Sequence, residues 1–178
     1  MNKQLILFYC INIFGGLSVL GSYAHGLISN PLTRINLWGN VPLSIRPYYT
    51  IFMFLAAGGY FFFTLYILFY INIDNLKLFG KYGFWSINIL YAGIILPSAI
   101  WLDLTFAMIN NPSPFLWLAI RLVLFTVGFS SVILLTSFFM SNFERTNWLY
   151  IASIIGLTFF CIQTMLLDAI IWPYYFPK

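Results

Sequence analysis

Five apolar runs, each long enough to carry a helix across a bilayer, dominate this sequence: Leu5–His25, Tyr48–Ile73, Tyr82–Ile109, Phe115–Met140 and Trp148–Trp172. A crossing helix needs about 20 consecutive apolar residues to span the hydrocarbon core. The breaks between the later runs are short and polar. "NIDNLKLFGKYG", "NNPSP" and "SNFERTN" gather Asn, Pro, Gly and charge, which are helix stops. Of the 178 residues 62% are hydrophobic and 7% charged, where a soluble domain carries roughly 25% charged residues. Such a chain has too little polar surface to cover itself in water. The expected fold class is all-α: a polytopic membrane protein, one integral membrane domain over residues 1–178, forming a five-helix bundle in a lipid bilayer.

The first run also fits a second pattern. Lys3, an apolar stretch and Ser22-x-Ala24 are the parts of a signal peptide with its cleavage site. Asn12 and Gly15–Gly16 interrupt the apolar stretch, and its spanning length favours a retained helix. Lys3, Lys77, Lys81 and Arg145 fall on the N-terminal side of a five-span protein, and Arg34, Arg46 and Lys178 on the other. The positive-inside rule therefore leans toward an N-terminus in the cytoplasm or matrix. A bacterial inner membrane and an organellar membrane fit equally.

Several function classes fall away. A net charge of +4 from eight dispersed basic residues is not the clustered basic face of a nucleic-acid binder. Cys10 and Cys161 both lie in apolar runs and imply no disulfide framework. One histidine without a Cys/His cluster argues against a dedicated transition-metal site, and the sequence leaves any cofactor unknown. No catalytic motif is present, which weighs against an enzyme. Five unlike spans show none of the internal repeats common in secondary transporters.

Three charges fall inside the spans: Asp103, Arg121 and Asp168. With alternating helices all three lie roughly 8–10 Å inside the same end of the bundle, at 1.5 Å per residue. That end is covered by the long first loop, Gly26–Pro47, which carries Arg34, Trp38 and Arg46, and the first span ends there in His25. Aspartate is too short to reach the interface from this depth, so charges here are expected to face the interior and pair. The reading is an Arg121 bridge to Asp168, to Asp103, or to both; two acids against one base then require that one acid is protonated or that Arg34, Arg46 or His25 reaches in from the loop. Such a layer is either an ion pair that fixes helix register or a binding site. Trp101 and Trp117 stand close to it, and Trp38 is either an interfacial anchor or part of a lid over a small apolar or amphipathic ligand. Gly15, Ser18, Ser22 and His25 share one face of the first span, and "AAGG" (Ala56–Gly59) and Gly128 add small residues that let helices approach closely. Trp38, Tyr48, Tyr49, Trp172, Tyr174 and Tyr175 form an aromatic girdle at the loop-one end. Pro97 is expected to kink the third span and help to aim Asp103.

Five helices in a short chain, a long aromatic and proline-containing first loop, and Trp-rich helix ends resemble the tryptophan-rich sensory protein/translocator (TspO) family. The stretch "LWGNVPLSIRPYYTIFMFLAAGGYF" has the family's loop prolines, with Arg46-Pro47 where the family has Lys-Pro, and no tryptophan in the second span. The resemblance implies a five-helix bundle that binds porphyrins and other flat apolar ligands under the first loop. An accessory subunit of a larger membrane complex, or a homo-oligomer, is the alternative: few charged loops leave an exterior suited to packing against protein.

Overall fold

A backbone in lipid must satisfy its own hydrogen bonds, and an open chain does so only as a helix. All five apolar runs are helical in the computed structural model, which describes residues 2–141 and 143–177. The spans are α1 (Lys3–Ser29), α2 (Arg46–Tyr70), α3 (Trp85–Asn110), α4 (Pro114–Met140) and α5 (Trp148–Tyr175). The Asn2 and Asn147 side chains cap α1 and α5 by accepting from Gln4 N and Leu149 N, and Pro114 opens α4. Among the described residues the one β pairing is the isolated Leu78–Tyr82 bridge.

Some ends differ from those the apolar runs imply. The first helix continues past His25 to Ser29, so the first loop is shorter than Gly26–Pro47 and contains a 3₁₀ turn at Arg34–Trp38. The second stops at Tyr70 and the third begins at Trp85. Between them Leu78 N donates to Tyr82 O (2.6 Å) around Phe79 and Gly80, both at positive φ. That turn consumes apolar residues that hydropathy assigned to helix. Pro97 sits inside an unbroken α3.

Spans that touch run in the order α1, α3, α4, α5, α2. Side chains of α2 then close the ring. The Tyr60 hydroxyl donates to Asn12 Oδ1 of α1, and Thr64 Oγ1 pairs with the Tyr91 hydroxyl of α3 at 3.0 Å. Small residues set the close approaches. A Cβ on Gly59 would lie 2.6 Å from Gly156 Cα, and one on Gly93 would meet Ser130. Gly128 packs on Met165, Gly15 on Ile95, and Gly26 on Leu102 and Phe106. Ser18 and Ser22, expected in the same seam as Gly15, instead bond carbonyls of their own helix, Phe14 and Val19.

The core divides in two. One cluster, around Phe8, Phe63, Tyr66, Tyr91 and Phe138, fills the N-terminal end of the bundle. The other holds Val41, Tyr49, Ile120, Ala169, Trp172 and Phe176 under the first loop.

Candidate functional site

Residues Ile162–Ile171 of α5 are π-helical. A π-turn closes after one more residue than an α-turn and occurs frequently at functional sites. Here it has a specific result. Residues five apart point in different directions on an α-helix but fall on one face where bonds run i to i+5. Gln163 Nε2 accordingly donates to Asp168 Oδ1 at 2.8 Å. Gln163 is 5% exposed, and its Oε1 has no hydrogen-bond partner. The pair thus joins a carboxylate to an amide whose carbonyl oxygen is unanswered, within a membrane-spanning segment. What it lacks is a donor.

Other polar groups surround it. Trp101 Nε1–H donates to the Tyr23 hydroxyl, and the Tyr49 hydroxyl donates to Leu167 O (3.1 Å). One helical turn deeper, Thr164 Oγ1 pairs with Ser131 Oγ of α4 at 2.9 Å.

Toward the membrane surface an aromatic layer closes the site. Trp172 is 5% exposed. It meets Trp101 edge-on with centroids 6.0 Å apart and lies 4.5 Å from the Phe176 ring, which stacks on Trp117. Trp38 stands edge-on to Tyr49 at 6.0 Å, and the Arg46 guanidinium lies 5.3 Å from the Trp38 ring centroid. The first loop is latched to α5 by two bonds of 2.8 Å, Trp172 Nε1 to Leu37 O and Asn40 N to Tyr175 O. Gly39, at φ +53°, packs so closely that a Cβ would lie 2.8 Å from Tyr175 O. Both the backbone conformation and the contact require glycine there.

The expected polar layer is therefore only partly assembled. Trp38, Trp101, Trp117 and Arg46 meet at the loop-one end, with Asp168 beneath them. Asp103, His25 and Arg34 are exposed and stand outside this group. The Pro97 geometry does not turn Asp103 inward. The expected bridge from Arg121 to Asp168 or Asp103 is also not formed among the described residues: Asp168 takes Gln163, and the Arg121 guanidinium lies 4.8 Å from the Phe125 ring centroid. The reason is angular. The buried face of α4 is Ile120, Leu124, Val127 and Gly128, and Arg121 points about 100° away from Ile120.

Sequence reasoning missed Gln163, Tyr23 and the central place of Trp172. Trp172 and Tyr49, expected in the girdle, are buried, whereas Tyr48 and Tyr174 are exposed as a girdle requires. Gln163 is polar within an apolar run, and that signal was present. Its relation to Asp168 was hidden because an α-helical spacing separates the two. Comparisons with protein-family models, with curated proteins and with solved structures find no match for this chain.

Proposed function

We propose that the protein binds a small amphipathic molecule at the loop-one end of the bundle. Its donor end would lie between Asp168 and Gln163 Oε1, and its apolar body against Trp101, Trp117 and Trp172. The observation that supports this reading is the unanswered Gln163 carbonyl beside a carboxylate, since buried polar groups are normally paired and intramembrane ionisable groups are usually functional. An amine, with more than one N–H, has a donor for each of the two groups. The aromatic lining suits a flat ligand, the class that the TspO resemblance implies. Entry requires the first loop to lift from α5, breaking the bonds at Leu37 and Asn40.

The test is a titration of tryptophan fluorescence with 9-aminoacridine, a flat amine, using the full chain in mild detergent. Saturable quenching is expected, with affinity lowered about tenfold in Asp168→Asn, the worth of one charge-assisted hydrogen bond. Quenching that never saturates, or that is equal in the variant, overturns the reading.

A second reading, an accessory subunit, draws on α1. Only 11% of its apolar window is buried, against 28–39% for the other spans, which leaves it free to pack on another chain. Native mass spectrometry separates the two, because a subunit co-extracts with larger proteins and a binder appears near 20.6 kDa.

A further inference from the structure

An open apolar groove of about 630 Å³ runs along the outer side of α1, α3 and α4. Leu96, Ala99 and Ile100 of α3 form its floor, with Ser18 of α1 on one side and Leu122 and Thr126 of α4 on the other. Its hydroxyls are already occupied: Ser18 donates to Phe14 O (2.8 Å) and Thr126 to Leu122 O (2.7 Å). The groove therefore presents an apolar surface, with a volume in the range of roughly 300–1,000 Å³ that holds small molecules.

Asp103 does not line the groove but lies on α3 just beyond its loop-one end. It follows Ile100 by three residues and Ala99 by four, so it lies on the groove face one turn nearer the first loop. It is exposed and has neither hydrogen bond nor ion pair among the described residues. The 26 residues of α3 extend ~39 Å, about 9 Å more than the hydrocarbon core. Centred in the membrane, α3 would hold Asp103 about 7 Å inside the hydrocarbon edge. A carboxylate there is costly without a counter-charge, and aspartate cannot reach up to the headgroups.

We propose that this groove binds a long-chain amine, with the alkyl chain along Ala99 and Ile100 and the ammonium on the Asp103 carboxylate. The site uses different residues from the Asp168 site and does not depend on it. It is tested with the full chain in neutral detergent, titrated with hexadecylamine, hexadecanol and hexadecanoic acid and followed by native mass spectrometry. The amine adduct should form at about one-tenth the concentration needed for the alcohol, the acid being weakest, as one charge-assisted bond implies. Asp103→Asn should equalise amine and alcohol, with helicity retained by circular dichroism. Ala99→Phe should weaken both by filling the floor, with helicity retained by circular dichroism. Equal binding of amine and alcohol by the wild type, or a preference that survives Asp103→Asn, overturns the proposal. If Asp168→Asn abolishes the preference and Asp103→Asn does not, the amine occupies the interior site and the groove assignment falls. A membrane protein released specifically by Asp103→Asn would likewise replace the amine with a partner helix.

Discussion

Asp168 marks itself in the sequence as a carboxylate within an apolar run, but its neighbour on the page is not its neighbour in space. Arginine was the expected partner, on the ground that charges at membrane depth pair. The structure supplies Gln163 instead. Removing the carboxylate strands no arginine, because Arg121 already lies over Phe125. Asp168→Asn should therefore hold its thermal stability, as two facing amides can still pair. Gln163→Leu should be worse, since it takes away the one hydrogen bond described for a carboxylate in an apolar interior. The expected loss is about 1–3 kcal/mol for a buried acceptor left unanswered, read as a lowered thermal midpoint in detergent. A Gln163→Leu protein as stable as wild type would mean that Asp168 is answered in some other way.

At the scale of the helix, apolar length and polar punctuation locate each span to within a few residues. They say nothing about which small residues carry the packing. In "AAGG" only Ala56 and Gly59 are buried, while Gly58 faces open space. The two glycines therefore predict opposite behaviour. Gly59→Ala places a methyl 2.6 Å from the backbone of Gly156 and must push α2 and α5 apart, at about 1–3 kcal/mol for overpacking. Gly58→Ala meets nothing and should be neutral or gain roughly 0.5–1 kcal/mol from helix propensity. Thermal unfolding of the pair is the measurement, and equal midpoints would contradict the close α2–α5 crossing. The π-helical stretch in α5 is equally invisible to hydropathy, because composition and apolar spacing do not encode one residue of helical register.

For the whole molecule, five spans put the two termini on opposite sides of the membrane. Reporter fusions at the N- and C-termini should give opposite accessibility, with the C-terminus external if Lys3, Lys77, Lys81 and Arg145 hold their loops inside. Two termini on one side would remove a span. The five crossings and the all-α class follow from the run of apolar residues, because hydrocarbon offers the backbone no partner outside its own helix. The same constraint does not settle which side chains meet. That depends on the rotation of each helix about its axis: Arg121 is turned away from the core face of α4, Asp103 faces outward, and the π register places Gln163 on Asp168. Apolar spacing thus specifies depth and number of spans. The partners within each layer are set by packing angles to which hydropathy is blind.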